Sequence, residues 1–383
     1  MAKNSMTDLM NIIKGMSDKE QSNLVENILK MMQNNKENEI YERENSSNSS
    51  CNNMVREHLG DKPDCPHCHA RAELGLVVKR GFRKNVQRFY CKGCGKTFVA
   101  TTNTAFEKSR KDAETWKKFI RLTISGASLK TCAIECEIAY QTAFTWRHKI
   151  LNAFKVNQVT TKMSGEIQID EMFLPISYKG NHFKGKFHAM YDSYIREASL
   201  LPRKSLRRGS DNKSQSAKDK ACVFCMVENS KGFYAAVPGV GFMTNNMLDY
   251  TIGQHVNKEK SLIVADQYKV TAKYLEKNNY NHMILSANTS DNPRDHKPEV
   301  RDGHHMQHVN AMHRYIRKFL AQYNGVSSKY LENYISLFVW LKNIAANKND
   351  KKKQQVSVAR TSTADCYITR RALESYPSIP MCA

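Results

Sequence analysis

Four cysteines form two tight pairs, Cys65-Pro66-His67-Cys68 and Cys91-Lys92-Gly93-Cys94, with residues 69–90 between them. Each C-x2-C turn can aim two thiolates at one tetrahedral zinc ion, and the intervening length suits a short hairpin. A structural zinc ion on Cys65, Cys68, Cys91 and Cys94 is therefore expected. Cys222 and Cys225 make a third such pair, but inside an apolar run with no partner pair, which reads as core thiols. Carboxylates supply a second chemistry. "EIQIDEMFLP" sets Asp170 and Glu171 within a strand pattern, and "SLIVADQYKV" sets Asp266 after a buried-type strand and before a helix. Two aspartates on neighbouring strands and a third ligand on a later helix can hold two divalent ions about 4 Å apart. Such a pair activates a water or a 3′-hydroxyl and stabilises the leaving oxygen in phosphodiester transfer.

The segment "HVNAMHRYIRKFL", residues 308–320, is a candidate for that later helix. Val309, Met312, Ile316 and Leu320 recur at three- and four-residue spacing and form an apolar face. Asn310, His313 and Arg317 run along its border. They read either as a hydrogen-bonding edge or as a catalytic edge, with His313 standing where a metal-binding carboxylate would be expected. A third constellation lies in "TWKKFIRLTISGASLKTCAIECEIAYQTAFTWRHKILNAF", which suggests helix, glycine turn, helix, short turn, helix. Its last segment, Tyr140 to Phe154, carries Gln141, Thr142, Thr145, Arg147, His148 and Lys149 at positions expected to be exposed. Short polar side chains for base edges and basic ones for phosphates are what a recognition helix needs. A plain three-helix bundle with solvated charges is the alternative.

The elements that must position these groups follow from the rest of the chain. Lys plus Arg number 59 against 37 Asp plus Glu, a net charge of +22. That balance favours a polyanionic partner, nucleic acid before membrane. No apolar run approaches the roughly 18 residues of a membrane span, and the opening residues lack the apolar core of a signal peptide. Eleven cysteines, an odd number, then point to thiols and metal ligands in a reducing, intracellular setting. The expected order is a helical segment and flexible linker (1–61), a zinc ribbon (62–100) and a helix-turn-helix domain (110–156). A catalytic domain (165–345) and a polar, basic tail (346–383), expected to be poorly ordered at least in part, complete it. Strand runs "EIQIDEMFL", "ACVFCMV", "GFYAAV" and "SLIVA" supply the sheet of the catalytic domain, and the basic stretch at 202–220 reads as an insert.

The ordered series of motifs resembles the DDE-type transposases of bacterial insertion sequences that carry an N-terminal zinc ribbon. The likeness rests on "CPHC", "FYCKGCGKTF", "TAFTWRHKIL", "IDEMFLPISYKGN", "PRKSLRRG", "ADQYKVTAKYL", "HVNAMHRYIRKFL" and "NGVSSKYLENYISLFVWL", and runs over about residues 62–345. It implies a multidomain α+β/α/β chain: zinc ribbon, helix-turn-helix, then a ribonuclease-H-like mixed sheet of five strands flanked by helices. It also implies metal-dependent DNA cleavage and strand transfer on Mg²⁺ or Mn²⁺ (two ions), with the first two acidic positions on Asp170 and Asp266. The third position falls on His313 where the family commonly has Glu, leaving Asn310 as the competing third ligand. The family's basic residue one turn on falls on Arg317 or Lys318, and helical phase favours Arg317. Expected partners are DNA (terminal inverted repeats and target) and further copies of the chain during transposition, in a bacterial cytoplasm at the nucleoid. The alternative is a DNA-binding regulator whose ribonuclease-H-like core is inactive.

Overall fold

The computed structural model describes residues 17, 49–156, 162–177, 179, 220–229, 232–285, 303–345, 350–363 and 365–376. The expected N-terminal helix, apart from Ser17, and nearly all of the basic insert lie outside these residues. The chain divides into two compact units: residues 1–102 with 106–116, and residues 103–105 with 117–383.

In the first unit a helix over residues 49–59 accompanies a three-stranded antiparallel sheet. Its strands, in order, are β1 (Val77–Arg83), β2 (Val86–Cys91) and β3 (Thr97–Val99). The β1–β2 turn is the pair Lys84–Asn85, with φ of 48° and 58°. Two left-handed residues give the turn a twist that matches the strands it joins. Phe89 and Phe98 stack at 5.5 Å to form a small core. With so little apolar area, this sheet needs another source of stability.

The second unit is built on a five-stranded sheet in the order β6-β5-β4-β7-β8. Its strands are β4 (Met163–Pro175), β5 (Lys220–Glu228), β6 (Gly232–Val240), β7 (Val256–Asp266) and β8 (His282–Leu285). β4, at the centre, pairs antiparallel with β5 and parallel with β7; β5–β6 is antiparallel and β7–β8 parallel. β5 is buried from Ala221 to Val227, as its unbroken apolar run requires of a strand covered on both faces. Cys222 and Cys225 are core thiols there, both 0% exposed. Ile167, Ile169, Phe224, Met226, Ile263 and Leu275 belong to one core cluster.

The helices follow local signals. α1 (Ala113–Ile124) starts where the Asp112 carboxylate accepts the Thr115 N–H at 2.7 Å. α2 (Leu129–Glu135) is capped by Ser128, which accepts the Thr131 N–H at 3.1 Å. α3 (Tyr140–Val156) follows, then α4 (Lys269–Lys277) between β7 and β8. α5 (Gln307–Ala321) lies against β4 and β5, and α6 (Leu331–Ala345) against α3 and β6. On α5 the buried stripe is Val309, Met312, His313, Ile316 and Phe319; Phe319 takes the place expected for Leu320.

Within the tail, expected to be poorly ordered at least in part, the described residues form α7 (Asp350–Thr361) and α8 (Arg370–Glu374). Val358, Ile368 and Leu373 are buried, as are Ser357, Thr361 and Cys366. Asn152 of α3 donates to the Cys366 carbonyl at 3.0 Å. A few apolar anchors among many lysines were enough to dock these residues.

Candidate functional site

In the first unit the two C-x2-C turns face one another. The sulfurs of Cys65 and Cys94 are 3.6 Å apart, as are those of Cys68 and Cys91, and all four lie within 4.8 Å of one another. Backbone geometry sets this up. His69 N–H returns to the Cys65 carbonyl and Gly95 N–H to the Cys91 carbonyl, each at 2.9 Å. Each turn ends on a left-handed residue, His69 at φ 57° and Gly95 at φ 69°. The Cys94 backbone N–H lowers the Cys91 thiol to about 7, while burial pushes Cys65 up to about 12. One thiolate is thus available near neutral pH, and a cation would relieve the other's burial. Four sulfurs so arranged could hold one tetrahedral metal ion.

In the second unit the carboxylates sit where β4 and β7 run side by side. Ile169 pairs with Ala265, so Asp170 and Asp266 are the next residues of two parallel neighbours. Burial pushes Asp170 up to about 8, with the charges of Asp266 and Glu171 adding to it. Burial and then Asp266 push Glu171 to about 7, and burial raises Asp266. Carboxylates that hold their protons because they lack counter-charge are what an unneutralised cation site looks like.

His313 is 6% exposed on the buried stripe of α5. Its Nδ1 lies 3.8 Å from the nearer Asp170 carboxylate oxygen, too far for a hydrogen bond. Burial and then Arg317 lower it to about 4, against a hydrogen bond to the Asp170 backbone that works the other way. The ring is therefore neutral at physiological pH, and its Nε2 is buried without a hydrogen-bond partner. Asn310 and Arg317 are both exposed. Hence α5 brings His313 to Asp170 and leaves the other two at the surface. Asp170, Asp266 and His313 do not close into a ligand shell as the thiols do. Among the described residues, the cysteines are the one group of three or more such donors within 4.8 Å of one another.

One part of the expectation fails. Arg147, His148 and Lys149 are 2%, 1% and 8% exposed, not displayed on a recognition helix. α3 is enclosed by α2, α6 and α7, so even its polar side is interior. The Arg147 guanidinium donates to the Ala127 carbonyl at 2.5 Å and to the Cys132 sulfur at 3.2 Å. His148 lies 4.5 Å from the Phe144 ring and 4.2 Å from Tyr330, and burial drives it down to about 3. The Lys149 ammonium sits 4.8 Å from the Tyr367 ring centre. Gln141 is exposed and Thr142 and Thr145 are half-buried, with Thr145 donating to the Gln141 carbonyl at 3.0 Å.

The sequence reading also passed over Glu166 and Gln168, which share a face of β4 with Asp170. Glu166 pairs with His304 at 3.1 Å, and the buried Gln168 reaches the start of α5. The signal was present as E-x-Q-x-D, a polar series of period two between core isoleucines.

Comparison with known proteins finds likenesses to transposition proteins. The model of the ISXO2-like transposase domain matches residues 162–343. A protein of the transposable element ISH50 from Halobacterium salinarum is 25% identical over 178 residues, covering 45% of this chain and 52% of its own length. The chain thus spans about half the length of that curated relative. A solved pre-cleavage Mos1 transpososome covers 66% of this chain and 80% of its own at 9% identity, but its TM-score of 0.17 is too low to bear on the fold. No helix among the described residues is long and apolar enough to cross a membrane.

Proposed function

From the match of residues 162–343 to the ISXO2-like transposase domain, we propose that the chain is an insertion-sequence transposase that binds the ends of its element and cleaves and joins DNA at a divalent-metal site. The observation that carries the chemistry is Asp170 beside Asp266 on parallel neighbours, next to a buried imidazole nitrogen without a partner. The sheet supports a ribonuclease-H-like core: three antiparallel strands lead into two parallel ones, with β4 at the centre. Asp170 and Asp266 are the carboxylate ligands, and His313 is the third ligand through Nε2. Nδ1 faces Asp170, and Nε2 is buried with no hydrogen-bond partner and so is free to donate its lone pair. Two divalent ions, Mg²⁺ or Mn²⁺, would there lower the pKa of the attacking water or 3′-hydroxyl and stabilise the leaving oxygen. Arg317, exposed one turn beyond His313, contributes positive charge toward bound phosphate.

The four thiols bind a structural zinc ion that holds the small sheet together. With the basic side chains of α3 buried, phosphate contacts fall to other surfaces. The β1–β2 hairpin is the best placed, with Arg80, Arg83 and Lys84 exposed around a 68% exposed Phe82. Gln141, Thr142 and Thr145 remain candidate DNA contacts at the start of α3. Copies of the chain assemble on the two ends of the element.

The test is 3′-end cleavage and joining of element ends by purified protein under Mg²⁺ and Mn²⁺. Asp170→Asn and Asp266→Asn should each abolish joining and leave DNA binding intact, since each removes a ligand charge and little volume. Joining at the parental rate by either variant would overturn the assignment. A regulator with an inactive core would bind the ends and join nothing under any metal.

A further inference from the structure

α5 begins with only one local cap, His305 Nδ1 accepting the Gln307 N–H at 3.3 Å. Met306 occupies the N-cap position, and its side chain makes no capping hydrogen bond. The first N–H groups of a helix have no partner inside it and need an acceptor from elsewhere. Here the acceptor comes from β4. The Gln168 side-chain oxygen accepts the His308 N–H at 3.0 Å and the Val309 N–H at 3.3 Å. Its amide nitrogen lies 3.3 Å from His305 Nδ1. Gln168 is 1% exposed, so its two hydrogen bonds to the helix start are shielded from water.

We infer that Gln168 is a positioning residue that fixes His313 against Asp170 by capping α5 from the strand that carries Asp170. The geometry is a ladder. Residues 166, 168 and 170 lie on one face of β4 and meet successive parts of the segment leading into and along α5. Glu166 takes His304, Gln168 takes the start of the helix, and Asp170 lies beside His313. Gln168 stands two residues from Asp170, and its grip at His308 lies five residues before His313. A shift of α5 along β4 would move the imidazole relative to the carboxylate, and the double hydrogen bond opposes that shift.

This inference rests on the metal-site reading, so the experiment separates the two. Mn²⁺ is titrated into purified full-length parent, Asp170→Asn, Gln168→Met and Gln168→Glu, followed by electron paramagnetic resonance and by the metal-induced rise in Tm. Gln168→Met keeps length but offers no acceptor. Gln168→Glu keeps an acceptor at a helix N-terminus, where a carboxylate is favoured. Gln168→Met should weaken Mn²⁺ binding about 10- to 100-fold and slow joining while staying folded, and Gln168→Glu should recover most of both. Parental Mn²⁺ affinity in Gln168→Met, with binding lost in Asp170→Asn, would overturn the positioning role alone. Parental affinity in Asp170→Asn would overturn the metal reading beneath it. If Gln168→Met does not fold, hydrogen exchange in the parent decides: protected amides at His308 and Val309 support the cap, and fast exchange at both removes it.

Discussion

The thiol cluster and the carboxylate site are both candidate metal centres, yet they are built in opposite ways. The thiols come from two turns of four residues, each shaped by its own backbone hydrogen bonds, and the four sulfurs lie within 4.8 Å of one another. The carboxylate site draws Asp170, Asp266 and His313 from two strands and a distant helix, and depends on sheet register and on α5 being held in place. A locally assembled site is legible in spacing and fails locally when a ligand is removed. A site assembled by tertiary structure fails whenever its scaffold shifts.

The largest expected effect separates the two directly. Cys65→Ser or Cys91→Ser should release the metal of the small sheet and unfold residues of the 62–100 region, with the five-stranded sheet intact. Metal analysis and limited proteolysis read this; zinc-free parent with four freely titratable thiols would remove the comparison altogether.

Next in size, His313→Ala should cut joining strongly in a folded protein, and His313→Glu should keep activity with a higher Mg²⁺-to-Mn²⁺ ratio than the parent, since a carboxylate is the harder ligand. Asn310→Ala should cost little, because Asn310 is exposed and His313 is beside Asp170. A dead Asn310→Ala with a fully active His313→Ala would move the third ligand to Asn310.

A smaller effect concerns α3. Arg147→Met should destabilise the second unit by about 2 kcal/mol, the usual scale for a hydrogen bond from a charged donor, seen as a lower denaturation midpoint. Its DNA affinity should stay within a fewfold of the parent while folded. A large affinity loss at unchanged stability would restore Arg147 as a DNA contact.

The smallest is a pH effect. His148 is held neutral, down at about 3, against an ordinary value near 6.5. A depressed histidine binds its proton in the unfolded chain first, so stability present above pH ~6.5 is lost as pH falls toward 3. His313, at about 4, adds to the same window. His148→Phe keeps a ring between Phe144 and Tyr330 and should flatten that decline in Tm between pH 6.5 and 4. An unchanged slope would show that His148 is not held neutral by its surroundings.

How much was legible divides along the same line. The four strand runs and both C-x2-C turns were visible because strand alternation and turn spacing are local physics. The strand β8, only His282–Leu285, was too short and too half-buried to stand out. The amphipathic phase of α5 was visible, and it put His313 at the border of the buried stripe. The enclosure of α3 was not visible, because its polar residues satisfy the pattern of an exposed face and are buried by α2 together with α6 and α7, which lie far along the chain. The pH range of His313 is likewise set by tertiary surroundings. An imidazole ordinarily titrates near 6.5, whereas burial and Arg317 take this ring to about 4.

By itself the sequence determined the donors and their local frames: which cysteines share a turn, which aspartates lie on strands, which helix carries a histidine at its polar border. These depend on interactions within a few residues of one another. Only the tertiary structure decided which groups meet. Register between β4 and β7 sets Asp170 beside Asp266, the Gln168 amide ties α5 to β4, and the helices around α3 turn its cations inward. No local pattern encodes those contacts, since each joins segments whose separation in the chain leaves their distance in space free until the core forms.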